Sequence, residues 1–254
     1  MSTGASQLVG SGRFHAERRF DGRHTRVYRV SQRRPSNGLP ARAATRGNTH
    51  LDARDIHHAI DRGINYLNWC THDDDLSEAV RSLETSRRSQ VVLASQLYAH
   101  DGASAQKELD EQLRTLKTDR IDVVTFFYLE TREEWDQISG ASGALEVLER
   151  ARTQGKVGLI GITSHQRPPA AEIGGAGEVD LLMIRYNAAH RGAEDDVFPV
   201  TRAHALPVIA YTCTRWGDLL TKTPADPESF HPPPAPMWYR FVLSSSVPQA
   251  GKLP

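Results

Sequence analysis

Cysteine is nearly missing: the 254-residue chain carries only Cys70 and Cys213, so no disulfide framework braces it and a reducing, cytoplasmic compartment is the expectation. An excess of one charge is missing too. Lys plus Arg and Asp plus Glu both total 31, which removes any general electrostatic reason to expect nucleic acid or a membrane as partner. No apolar run approaches the ~20 residues that a spanning helix needs, and no secretory apolar core precedes a cleavage site. No G-x-G-x-x-G follows an early strand, which argues against a doubly wound dinucleotide fold. What is present, 39% hydrophobic and 24% charged residues, suits one large soluble domain with a sizeable core. The charge is uneven only at the start, where Arg13, Arg18, Arg19, Arg23, Arg26, Arg29, Arg33 and Arg34 face just Glu17 and Asp21. Without a convincing amphipathic helix, that basic segment does not read as a transit peptide.

From residue 41 onward, short aliphatic runs alternate with longer amphipathic stretches, the pattern of βα units around a parallel sheet. Seven strands are expected, at 41–45, 64–68, 91–96, 121–127, 157–163, 179–185 and 207–211, each a nearly continuous apolar run as buried parallel strands require. Between them, "LDARDIHHAIDRG" offers Asp52 as N-cap and Gly63 just past the end. Leu109, Leu113 and Leu116, and again Leu145 and Leu148, fall at helical spacing and read as core. Seven consecutive units with no break in composition predict a (β/α)8 barrel of the TIM type. The tail "TPADPESFHPPPAPMWYRFVLSSSVPQAGKLP" reads as a Pro-rich loop and one helix through Trp238 to Leu243, so the barrel is expected to be incomplete at the eighth strand. The expected division is 1–40, a basic segment, and 41–254, the barrel, truncated at the C-terminus.

Barrel enzymes work at the carboxyl ends of their strands. Those ends bring Arg46; Asn68, Trp69 and Cys70; Gln96, Tyr98 and His100; Phe127, Tyr128 and Glu130; Thr163, Ser164 and His165; Arg185 and Asn187; and Tyr211, Thr212 and Arg215. "THDDD" (71–75) gathers His72 and three carboxylates. A hard cation or zinc is one reading, and a helix cap with dipole-complementing acids is the other and the preferred one. Cys70 and Cys213 with His72 or His165 match no zinc-finger spacing, and no metal is expected. Arg46, Arg185 and Arg215 would suit an anionic ligand if they converge, and outward salt bridges if they do not.

"GINYLN", the following "SEAV", "TLKTDRIDVV", "GKVGLIGITSH", "MIRYNAAHRG" and "VIAYTCTRWGDLL" resemble, in order and spacing, the blocks of the aldo-keto reductases over residues 50–222. "RRFDGRHTRVYRV" is weakly similar to that family's opening hairpin at the barrel bottom, with "SQRRPSNGLP" (31–40) inserted after it. The resemblance implies an eight-stranded barrel that binds NADP(H) and transfers hydride to an aldehyde or ketone. It also implies a catalytic Asp, Tyr, Lys and His tetrad, whose positions hold Asn68, Asp73, Gln96 and Phe127 here. Cofactor contacts carried over by resemblance are Thr163, Ser164, Tyr211 and Thr212. Met183 replaces a glutamine of the family, and the family's basic clamp on the 2′-phosphate lies after the eighth strand.

Hydride addition leaves an alkoxide that needs a positioned acid or an oxyanion stabiliser. An aspartate is ordinarily ionised near neutrality and has no proton to give, and Phe127 supplies neither charge nor hydrogen bond. Losing proton donation typically costs ~100- to 10,000-fold. The expectation is a divergent oxidoreductase that works without the usual tetrad and with weakened cofactor binding, its donor drawn from Tyr98, Tyr128 and His165. The competing readings are a catalytically inactive barrel (a pseudoenzyme) that binds a small molecule or serves as a scaffold, and a truncated relative without function. Partners expected are a small-molecule substrate or ligand and, through exposed barrel edges, a second copy.

Overall fold

The computed structural model describes residues 51–71 and 73–244, together with the backbone of three short strands before them. Arg46, His72, the 31–40 stretch and the last ten residues lie outside the described residues. Strands β1 (Arg19–Asp21) and β2 (Thr25–Val27) pair antiparallel, forming the hairpin expected at the start. Strands β3 (Arg42–Thr45), β4 (Tyr66–Trp69), β5 (Val92–Leu97), β6 (Ile121–Phe126), β7 (Val157–Ser164), β8 (Leu181–Arg185) and β9 (Val208–Tyr211) form one seven-stranded sheet in sequential order. Every neighbouring pair is parallel. Helical connections run between successive strands from β3 onward: α1 (Ala53–Asp61), α2 (Asp75–Arg81), α3 (Thr85–Arg88), α4 (Gly102–Thr115), α5 (Arg132–Ser139), α6 (Ala144–Thr153), α7 (Arg167–Gly175), α8 (Ala193–Asp196) and α9 (Phe198–Ala203). Helix α10 (Ala235–Ser244) follows β9, as the apolar run around Trp238 predicts. This is an incomplete (β/α)8 barrel. Among the described residues no strand covers the outer edge of β9.

Local chemistry sets the element ends. Asp52 accepts from the Asp55 amide and Asp55 returns a bond to the Asp52 amide, a capping box that satisfies two donors at the start of α1. Gly63 (φ 98°) sits past its end in the left-handed region, and the Ile64 amide still bonds back to the Ala59 carbonyl. That bond belongs to the helix terminus, which is why β4 begins at Tyr66 and not at Ile64. β8 begins at Leu181 and not at Val179; just before it, Asp180 turns its carboxylate onto the Ile160 amide (2.8 Å) and Arg152 (2.7 Å).

Strand parity divides the core into two sides. Leu93, Val124, Ile160, Leu182 and Val208 pack outward against the helices. Tyr66, Val92, Ala94, Val123, Leu159, Leu181, Met183 and Ile209 face inward and pack together. The inner layer alternates large and small: a Cβ at Gly161 would meet the Leu181 side chain at 2.6 Å, so glycine there leaves the space that Leu181 fills. The helical leucines behave as their spacing predicts: Leu109, Leu116 and Leu148 are buried, and Leu113 and Leu145 pack against the core from its margin.

Candidate active site

Continuing the inward parity toward the carboxyl ends places Asn68, Gln96, Thr125, Thr163, Arg185 and Tyr211 on one inner layer, with Phe127 and His165 one step above it. Three of the four tetrad-equivalent positions reach this wall. Asn68 is buried and donates to the Cys70 thiol at 3.6 Å. Gln96 is buried, accepting from the Tyr98 hydroxyl at 3.3 Å. Its backbone carbonyl accepts from Gln112 on α4 at 2.7 Å.

The fourth position turns away. Asp73 pairs with Arg81 at 2.6 Å on the exposed side of α2. In the same acidic run Asp74 caps α2, accepting from the Leu76 and Ser77 amides, both at 3.1 Å. The helix therefore accounts for two of the three aspartates. Among the described residues no three His, Cys, Asp or Glu side chains gather as a metal site.

Around the mouth runs a continuous arc of rings drawn from four strand ends. Tyr98 lies 4.6 Å from Phe127, Phe127 lies 5.4 Å from Tyr128, and Tyr128 lies 4.5 Å from His165. His165 then stacks on Tyr211 at 5.5 Å and 28°. The Tyr128 hydroxyl and His165 Nδ1 are 3.1 Å apart and hydrogen-bonded, and the His165 amide donates to Glu130 at 3.2 Å. All three candidate donors read from the sequence therefore meet in one structure. Tyr128 (φ 60°) and Thr212 (φ 55°) hold left-handed backbone, a strain that L side chains adopt mainly where the surroundings impose it.

The residues assigned to cofactor by resemblance are in place with their own partners. Thr163 donates to Thr125 Oγ1 at 3.1 Å, which leaves its lone pairs free to accept. Ser164 Oγ is used locally, donating to the Gln166 carbonyl and accepting from its amide. Tyr211 donates to the Ser164 carbonyl at 2.9 Å, and burial is the main cause raising its phenol above the usual range. The Thr212 hydroxyl is buried with no hydrogen-bond partner among the described residues, an orphaned polar atom at the loop that follows β9.

The cations divide. Arg215 contacts Asp218 at 3.6 Å and Arg167 pairs with Asp196 at 2.6 Å, while Arg185 has no carboxylate within ion-pair distance among the described residues. Burial, and then the charges of Arg185, Arg215 and Arg167, push the imidazole of His190 below its ordinary pKa. Two supporting residues escaped the sequence reading. Glu108 accepts from the Tyr98 and Ala99 amides, and Gln112 ties α4 to β5 by accepting from the Ser95 hydroxyl and donating to the Gln96 carbonyl; a glutamine among the leucines of α4 was the signal for the second.

A model of the Aldo/keto reductase family matches residues 41–237. The chain belongs to that family. None of the curated proteins compared with the chain matches it. Among solved structures it is similar to the holo form of an aldo-keto reductase from Bacillus halodurans, at 21% identity and TM-score 0.56, over 70% of this chain and 61% of that one. An aldo-keto reductase from Klebsiella pneumoniae in complex with NADPH matches at 22% identity and TM-score 0.54, over 66% and 61%. A glycerol dehydrogenase from Gluconobacter oxydans matches at 22% and TM-score 0.54, over 69% and 59%. This chain thus spans about three fifths of the length of these structures, and the likeness shows the fold. Among the described residues no helix is long and apolar enough to cross a membrane.

Proposed function

We propose that this aldo-keto reductase is a divergent NADP(H)-dependent oxidoreductase acting on an aldehyde or ketone, with the hydrogen-bonded pair Tyr128 and His165 in place of the family's tetrad donor. The observation that carries the reading is the 3.1 Å contact between the Tyr128 hydroxyl and His165 Nδ1, at the barrel mouth beside Tyr211. With Nδ1 protonated, His165 donates to the phenolic oxygen, leaving the Tyr128 proton directed elsewhere. The same N–H then stabilises the oxygen that has given its proton up. Glu130, accepting from the His165 amide, fixes the loop that carries the ring.

The residues present fit the cofactor. The orphaned Thr212 hydroxyl and the spare lone pairs of Thr163 offer polar contacts, and Tyr211 offers a ring. A centroid separation of 5.5 Å is too long for full overlap of His165 on Tyr211. NADP(H), when bound, supplies the hydride, and Thr163, Tyr211 and Thr212 would hold it. The NADPH complex of the Klebsiella pneumoniae structure supports this choice of cofactor.

A second reading, a barrel that binds without turnover, is favoured by the burial of Asn68 and Gln96 in bonds of their own. Titration of the folded protein with NADPH and NADH, followed by a carbonyl panel, separates the two. Micromolar cofactor binding with turnover is the expected result. Absence of binding by a cooperatively melting protein would overturn the oxidoreductase reading.

A further inference from the structure

We infer that Arg185 is a specificity residue that selects a substrate carrying a carboxylate on a flat, ring-bearing body. The inference deepens the proposed function and rests on it for the word substrate; the binding itself is a separate claim.

Arg185 ends β8 on the inward side, because Leu181 and Met183 at the same parity lie in the inner cluster. Its register partner on β9 is Tyr211, and Ile184 pairs with Ser164, which puts Arg185 in the strand between His165 and Tyr211. Those two rings stack with each other, so Arg185 stands on the strand where the aromatic arc crosses from β7 to β9. The neighbouring cations have carboxylates of their own: Arg167 has Asp196 and Arg215 has Asp218. Arg185 has none among the described residues, although it is half-buried and faces a site. Its charge is felt by His190 and by Tyr211. Among the described residues Glu130 also acts on Tyr211, and its carboxylate accepts the His165 amide.

A guanidinium presents a planar fork of N–H donors that matches a carboxylate in two parallel bonds. Beside it, Tyr98, Phe127, Tyr128, His165 and Tyr211 present ring faces and edges suited to an unsaturated or aromatic body. A small charged aliphatic substrate would leave that surface unused, and a neutral aromatic one would leave the guanidinium unpaired.

The test is calorimetric titration, without cofactor, of the full chain and its Arg185→Gln and Arg185→Lys variants with 2-naphthoate and with uncharged 2-naphthalenemethanol. A parallel NADPH titration of each protein accompanies it. The expected result is that naphthoate binds the wild type about tenfold or more tighter than the alcohol, in line with a charge-assisted hydrogen bond. Arg185→Gln should remove that preference with alcohol binding unchanged, and Arg185→Lys should keep part of it. Equal affinity of the two probes for the wild type would overturn the inference. So would an Arg185→Gln protein that keeps the preference and loses NADPH, since the guanidinium would then serve the cofactor's phosphates. A naphthoate preference in a protein that binds no NADPH would sink the oxidoreductase reading and leave the carboxylate site standing.

Discussion

The Tyr128 hydroxyl and the Nδ1 atom of His165, 37 residues apart in the chain, lie 3.1 Å from each other at the carboxyl ends of adjacent strands. If this pair delivers the proton, Tyr128→Phe should lower kcat for carbonyl reduction by ~100-fold or more while NADPH affinity holds. His165→Gln should fall by a similar factor, since the two act as one unit. Steady-state kinetics with a direct cofactor titration checks this, and a Tyr128→Phe enzyme within about threefold of wild type would remove the pair from the chemistry.

Asp180 carries a second prediction. Its side chain is 1% exposed, with one oxygen shared between the Arg152 guanidinium and the Ile160 amide. Asp180→Ala strands a sheet amide and leaves the largely buried Arg152 guanidinium only the more distant Glu149 carboxylate at 3.5 Å, and should destabilise the fold by about 3 kcal/mol. Urea denaturation monitored at two wavelengths would measure it, and a loss below ~1 kcal/mol would mean that water replaces the carboxylate.

The neighbouring aspartates of the acidic run should separate cleanly. Asp74 caps α2 with two backbone bonds, so Asp74→Ala should cost about 1 kcal/mol. Asp73 makes an exposed ion pair with Arg81, its side chain 66% exposed, so Asp73→Ala should fall within about 0.5 kcal/mol of wild type. Equal losses in the two variants would contradict the assignment of the cap.

Acid stability should depend on Glu194. The Arg191 guanidinium and then the Tyr186 hydroxyl hold its carboxyl at about 2, below the ordinary 4.5. The folded state therefore binds this proton later than the unfolded chain, so the contribution is present above pH 4.5 and is lost as pH falls toward 2. Melting temperatures measured from pH 6 to pH 2.5 should show the gap between wild type and Glu194→Gln closing through that window. A constant gap would assign the difference to packing.

Much of the frame was legible in the chain. The seven apolar runs became seven parallel strands because a strand covered on both faces needs apolar side chains at nearly every position. Asp52 and Gly63 marked the ends of α1 because capping is chemistry between residues a few positions apart. Strand starts were less legible, since Ile64 is apolar and yet bonds back into the helix before it.

The site was legible as a set of names and not as an arrangement. Tyr98, Tyr128 and His165 came from strand ends counted along the chain, and Asn68, Gln96 and Phe127 were set at tetrad positions by the resemblance to the family. That Asp73 leaves the site for Arg81 depends on how α2 is seated, and that Tyr128 meets His165 depends on the pairing of β6 with β7. The sequence by itself determined the parallel layers and the caps, because periodicity and local hydrogen bonding act over a few residues, and its ordered blocks carried the resemblance to the family. Only the tertiary structure decided which rings touch, which arginines already hold a carboxylate and which hydroxyl is left without a partner. Those contacts join strand ends that are distant along the chain, and parallel pairing alone brings them together.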